Sequence, residues 1–297
     1  MESFIYYLLP AQEVTSIIDF FEQFSISVYD WILVFAVAFL MLELLNDAFT
    51  KRFTTGRFLE TLSSLITQIP FYFSEVIVFS LAVYGYFTLY EFIPWKMPVT
   101  FEMFFVVLFL ADFTYYVEHF LLHKVRLLWL AHSVHHSSSM MNTATAFRFS
   151  LFDPVVSAVF HLPLLLLGFH PIFIFAAEIL VQAYQFWIHN EIIGKLGVLE
   201  KVLNTPSHHR VHHGSDKQYL DKNFGGILII FDRIFGTFQK EEKIPTYGLT
   251  TPMTSKNPFT VQFYEFGKLF SALRQAKTVR QKINHLFKTP DWRPEAD

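Results

Sequence analysis

Residues 31–45 read WILVFAVAFLMLELL, a run in which Glu43 is the sole charge. Extended back to Val28 and on to Phe49, it approaches the roughly 20 apolar residues with which an α-helix crosses a bilayer. Similar runs follow at 71–91 (FYFSEVIVFSLAVYGYFTLYE) and 101–118 (FEMFFVVLFLADFTYYVE), and two more lie back to back at 151–168 and 171–189. Only 16% of the chain is charged, against about 25% in an ordinary soluble domain, so lipid is the expected surrounding rather than a large soluble core. The pattern predicts an all-α, polytopic integral membrane protein with about four or five transmembrane or hairpin helices.

Punctuation and charge refine this reading. Gly168 suits a helix stop and Pro171 a helix start, so 151–189 reads as a tight helical hairpin. Asp153 and Pro154 suit the N-cap and first turn of its first arm. No Lys or Arg precedes Lys51, whereas 16 of the 23 lie after residue 190. Lys51, Arg52 and Arg57 follow the first run, and Lys124, Arg126 and Arg148 follow the third. By the positive-inside rule the 50–70 loop, the 119–150 segment and everything after 190 are cytoplasmic, with the N-terminus outside. No basic region precedes an apolar start, so no cleavable signal peptide is expected. Glu43 and Asp47 fall at a membrane boundary, where solvation is expected. A net charge of −3 gives no reason to expect nucleic acid, and the absence of cysteine excludes disulfides and thiolate metal sites.

Histidine carries the chemistry. HFLLH sets His119 and His123 four residues apart, HSVHH contains His132, His135 and His136, and HHRVHH contains His208, His209, His212 and His213. On a helix the spacings i, i+3 and i+4 place imidazoles on one face. His189 ends the fifth run, and all these residues lie beyond the expected cytoplasmic ends of apolar runs. Imidazole suits iron, zinc, copper and nickel, and nine or ten histidines exceed the four ligands of one structural zinc. Two metals are implied. His161, His170 and His285 stand apart: His170 in a hairpin turn is expected to be structural, and His161 to be a hydrogen-bonded interior group.

These three boxes resemble those of the sterol desaturase / fatty acid hydroxylase superfamily, the membrane di-iron oxygenases. The flanking LWLAHSVHHSS, YQFWIHNEIIGKLG, LNTPSHHRVHHGSDKQYLDKNFGGILIIFDRIFGTF and TPDWRP are most similar to its alkylglycerol monooxygenase branch and bacterial relatives, from about residue 30 onward. The resemblance implies a cytoplasmic histidine-rich helical cap holding a dinuclear site with His119, His123, His132, His135, His136, His189, His209, His212 and His213 as ligands. It implies two iron ions, replaceable by zinc in purified protein, and an O2-dependent hydroxylation of a membrane lipid with tetrahydropterin as reductant. Desaturation at the same site is the alternative, and metal binding or transport without catalysis is another. Transport predicts ligands near the bilayer midplane, whereas these gather at one face. No glycine-rich nucleotide loop is present, so electrons are expected from a small reductant or a separate redox protein. Phe120 stands where the family commonly has Arg after the first histidine, so the substrate or its headgroup is expected to differ from that of the named branch, whereas Phe231, where Trp is usual, is a milder change that keeps the aromatic packing.

Other polar residues are candidates for support. Asp112, two turns before His119, could orient an imidazole; Gln185, one turn before His189, could hold a water or orient a ligand; His208 is either a tenth ligand or a supporting group. Asp221, Asn223 and Asp232 could clamp the third-box helix or serve only loop folding. Phe259, Phe263, Phe266 and Phe270 recur at helical spacing among basic residues, as in a helix lying on a membrane surface or packed on the cap. The expected organisation is an interfacial segment at 1–27, transmembrane helices at 28–118, a fatty acid hydroxylase-type catalytic domain at 119–240 containing the membrane hairpin, and an amphipathic cytoplasmic tail at 241–297.

Overall fold

The computed structural model describes residues 11–294. The first ten residues of the expected interfacial segment, and positions 295–297 of the expected tail, lie outside the described residues. The chain is helical as expected: α1 (Ala11–Phe49), α2 (Thr55–Phe92), α3 (Phe101–Lys124), α4 (Arg126–His136), α5 (Asp153–Leu166), α6 (Pro171–Ile188), α7 (Pro206–His212), α8 (Ile230–Phe235), α9 (Pro258–Gln275) and α10 (Val279–Phe287). Pairing between extended segments is confined, among the described residues, to the isolated bridges Leu203–Leu228 and Gly214–Tyr247.

Four of these helices, α1, α2, α3 and α6, are long and apolar enough to cross a membrane. The apolar side chains they turn outward match lipid rather than water: Phe35, Leu81 and Phe105 are 67%, 66% and 67% exposed. The expected boundary at residue 27 falls inside a continuous helix. No glycine or proline interrupts residues 11–49, and α1 runs through them as one helix of 39 residues. The fourth apolar run, 151–168, is an arm, not a span: α5 has 14 residues, about 21 Å at 1.5 Å per residue, short of a hydrocarbon core about 30 Å thick. At its start Pro154 occupies the first turn as expected, but the cap position is Phe152, and the Asp153 carboxylate instead accepts the Ser150 N–H at 2.5 Å.

The hairpin turn forms as the sequence indicates. Gly168 takes φ 93°, and a Cβ there would lie 2.6 Å from the Trp95 carbonyl oxygen. His170 is structural: it caps α6, its Nδ1 accepting the Ile172 N–H at 3.3 Å ahead of Pro171. Inside the bundle, Phe21 of α1 meets Phe104 of α3 and Phe173 of α6 at ring distances of 4.2 and 4.9 Å. Fully buried Ala111, Ala176 and Ala177 let α3 and α6 approach closely.

α2, with 38 residues, is about 57 Å long and outruns the bilayer. Its first turns bury a polar face of Glu60, Thr61, Ser63, Ser64 and Thr67, and Pro70 lies just beyond them. Residues 137–150 pack into this face, which corrects the expected solvation of Glu43 and Asp47. Glu43 is buried and accepts the Thr143 N–H at 2.7 Å, and Asp47 pairs with Arg57 at 2.9 Å. Arg148, expected in an aqueous loop, is fully buried with its Nη1 2.9 Å from Glu60 Oε1. A carboxylate near an apolar run is solvated only if nothing folds over it, and here the segment after α4 does. The phenylalanine-rich tail helix α9 packs on α2 and α4: Gln262 donates to the Thr67 and Phe149 carbonyls, while Phe259 and Phe270 remain exposed.

Candidate metal centre

Four segments bring the histidines together. α3 ends at Lys124, and a single residue, Val125, turns the chain into α4, which packs back along it. His119 and His123 on the last turns of α3 therefore meet His132, His135 and His136 of α4. α6 ends at His189, and α7, started by Pro206, is a short buried helix carrying His209 and His212, with His213 at its C-cap.

The result is two sets of converging nitrogens. His119, His123, His132, His136 and His212 form one, and His135, His189, His209 and His213 the other; within each, the ligand atoms all lie within 4.8 Å of one another. The nine histidines that the family resemblance implies as ligands are all in these sets, and His208, the tenth histidine of the boxes and the fifth run, is not. In the first, Nε2–Nε2 distances are 2.9 Å for His119–His132, 3.1 Å for His123–His136, 3.2 Å for His132–His136 and 3.0 Å for His136–His212. In the second they are 3.1 Å for His135–His189, 2.8 Å for His189–His209 and 3.2 Å for His209–His213. The sets adjoin, His136 stacking on His213 at 4.5 Å.

Proton accounting shows what such a donor set needs. His119 Nδ1 donates to the Phe224 carbonyl at 2.9 Å, His212 Nδ1 to that of Lys222 at 3.0 Å, and His189 Nδ1 to that of Gln185 at 2.6 Å. A neutral imidazole with its proton on Nδ1 presents a bare lone pair at Nε2. His136 Nε2 faces three other Nε2 atoms, and one proton could serve only one of those contacts. Burial first, and neighbouring imidazoles second, push His132, His136, His209 and His213 well below the usual histidine range, and burial brings His189 down to about 4. Protonation is thus disfavoured, and a shared cation satisfies all the lone pairs at once. Ligands about 2.1 Å from one ion at right angles would stand about 3 Å apart, as these do. The donor set fits two nitrogen-ligated metal ions.

Asp112 touches no imidazole. Its carboxylate accepts the N–H groups of Ile227 and Leu228 at 2.6 and 3.0 Å, while Asp232 accepts those of Phe224 and Gly225 at 2.8 and 2.7 Å. Together they hold the loop whose Phe224 carbonyl fixes His119. Gln185 orients His189 through its backbone carbonyl, its side chain donating to Val181. Asp221 pairs with Lys124 at 2.5 Å and lies 3.6 Å from His123 Nδ1. Although burial alone would raise its pKa, His123 and Lys124 hold it down at about 2. Asn223, at φ 57°, bridges the His208 and Gln239 carbonyls. His208 belongs to neither set and packs edge-on to Phe238. His161 donates Nδ1–H to the Ser157 carbonyl at 3.0 Å, and His285 sits against Trp292; both lie apart from the sets. The orienting carbonyls are invisible to any side-chain pattern, and the buried Arg148–Glu60 pair joins residues 88 apart in the chain.

This arrangement makes a test of Asp112 possible. Asp112→Asn can accept only one of the two loop N–H groups well, and an unsatisfied buried N–H costs about 1–3 kcal/mol. We expect thermal stability to fall by that order and metal affinity to drop about 10-fold, as for other groups that orient a ligand. Unchanged melting and metal titration would remove the loop-clamp role.

Residues 104–237 match the family model described as fatty acid hydroxylase. The chain is 37% identical over 267 residues to the alkylglycerol monooxygenase of Homo sapiens, covering 88% of this chain and 59% of that protein. It is 41% identical over 203 residues to the alkylglycerol monooxygenase of Danio rerio, covering 68% and 44%. The ornithine lipid hydroxylase of Rhizobium tropici is 30% identical over 150 residues, covering 50% and 45%. The chain therefore spans about half the length of the curated relatives it matches. No solved structure matches it.

Proposed function

We propose that this chain, whose residues 104–237 match the fatty acid hydroxylase family model, is a membrane-embedded di-iron monooxygenase that hydroxylates a lipid with O2. The observation that carries the reading is the pair of converging Nε2 sets, five and four histidines, at the ends of candidate membrane helices. Two iron ions held by these nine histidines would supply O2 activation and C–H oxidation. The protein's own contribution is positional. The carbonyls of Phe224, Lys222 and Gln185 keep His119, His212 and His189 in one tautomer, and burial of all nine rings limits water at the site.

Residues 119–240 form the catalytic domain in this reading and 241–297 its covering tail, with the cap cytoplasmic and the N-terminus outside. The surplus of basic residues after residue 190 supports that orientation. The names of the relatives make alkylglycerols the first substrates to test and ornithine lipids the second, with a tetrahydropterin as reductant for the former.

Metal content tests the proposal. Protein purified anaerobically and reconstituted with iron should hold two metal ions per chain, and mass spectrometry of fed lipids should find products heavier by one oxygen. One ion or none after reconstitution would sink the dinuclear site. Two ions with no oxidised product from any lipid class would leave a metal-binding protein without this activity.

A further inference from the structure

A cavity of about 260 Å³ opens beside His123, His136 and His212 and is walled on its other sides by α4, α9 and residues 289–293. Arg126, the first residue of α4, lines it and is 3% exposed. The tail holds this residue once through its backbone and once through its side chain. The Arg126 N–H donates to the Lys288 carbonyl at 2.9 Å, and Nη1 donates to His285 Nδ1 at 3.2 Å. Among the described residues no carboxylate is in ion-pair contact with the guanidinium, and its Nε has no hydrogen-bond partner.

That is an unusual place for a bare cation. Buried charges are normally paired, because desolvation costs more than weak polar contacts return. The first turn of a helix, with its free N–H groups, favours an anion and disfavours a cation. Glu265 acts on the guanidinium only through space, and no lining carboxylate comes within ion-pair distance of it. Glu265 is engaged by Lys268 at 2.7 Å and Asp221 by Lys124 at 2.5 Å. Among the remaining charges of the cleft, Arg126 and Arg293 outnumber Asp291.

We infer that this cleft binds a small molecule through an oxyanion, phosphate or carboxylate, seated at Arg126, with the rest of the molecule directed toward His123, His136 and His212. Guanidinium offers two parallel N–H donors to such a group. Trp129, on the same wall and 5.1 Å from the His123 ring, supplies a flat apolar contact. The inference rests on the arginine and the cavity, and stands whether or not the metals are iron. The oxyanion could belong to a soluble molecule or to a lipid headgroup.

The test uses the full chain in neutral detergent, titrated calorimetrically with inorganic phosphate in one arm and with micelles containing dimyristoyl phosphatidate in the other. Saturable binding in the phosphate arm identifies a soluble anion as sufficient; binding of phosphatidate alone identifies a headgroup. In either case Arg126→Gln and Arg293→Gln should each weaken binding about 10-fold or more, the usual effect of losing a charged hydrogen bond. Without anion, Arg126→Gln should melt no lower than the parent, because it removes an unpaired buried charge. If that variant fails to fold, Arg293→Gln, on the exposed tail, decides the matter. No saturable binding in either arm, or parental affinity in the folded variants, overturns the assignment.

Discussion

Replacing His212 with alanine is expected to strip the protein of metal and reduce lipid oxidation by more than the 10–100-fold typical of residues that merely orient a ligand. His212 is central to the larger set: its Nε2 is 3.0 Å from that of His136, and its ring lies 4.2 Å from His119 and 4.9 Å from His123. The substitution removes a lone pair and also leaves the Lys222 carbonyl without its partner. The helices should nevertheless stay assembled, since the packing of Phe21, Phe104 and Phe173 lies among α1, α3 and α6, apart from the histidines. Two controls separate coordination from architecture. His170→Ala should lose only a helix cap, about 1 kcal/mol, with metal and turnover retained. His208→Ala should keep its metal, because that ring is outside both sets. Elemental analysis and product mass spectrometry of the three variants read these outcomes together. Full metal and full turnover in His212→Ala would mean that the box is not a metal site.

The largest expected effect on stability comes from Arg148→Met. Arg148 Nη1 pairs with Glu60 and also contacts Ser64 Oγ at 3.2 Å, and its Nε donates to the Val134 carbonyl and Ser137 Oγ at 3.1 and 2.9 Å. Methionine leaves Glu60 buried with only Lys256 at 3.6 Å, and breaking a buried pair in this one-sided way costs about 3–5 kcal/mol. Val134 and Ser137 flank His135 and His136, so the end of α4 should loosen and metal occupancy fall with the melting temperature. The double variant Arg148→Met with Glu60→Gln should recover much of the loss, because no uncompensated carboxylate remains. A single variant as stable as the parent, or a double variant no better than the single, would argue against the pair as the anchor of this segment.

The membrane class and the histidine sets were legible along the chain for the same reason: both are local and periodic. A span is a run of apolar residues, and an HxxHH box is one helical face, so neither requires knowledge of what lies opposite. Gly168, Pro171 and His170 marked the hairpin turn just as locally. The change from mixed to apolar composition near residue 27 leaves α1 unbroken, because nothing between residues 11 and 49 stops a helix.

What only the tertiary structure decided is the support. Asp112 was marked for its distance from His119 along one helix, yet its partners are Ile227 and Leu228, more than a hundred residues away. Glu43 reads as a boundary charge and Arg148 as a loop cation, yet residues 137–150 fold against α1 and α2 and bury both. His208 and His209 are neighbours of the same residue type, and only the fold turns one into a set and leaves the other against Phe238. The sequence by itself determined the bilayer setting and the faces that carry nitrogen, because apolar length and helical pitch are properties of contiguous residues. Burial, tautomer and ion pairing were decided by the tertiary structure, because each depends on which distant backbone or side chain fills the remaining space.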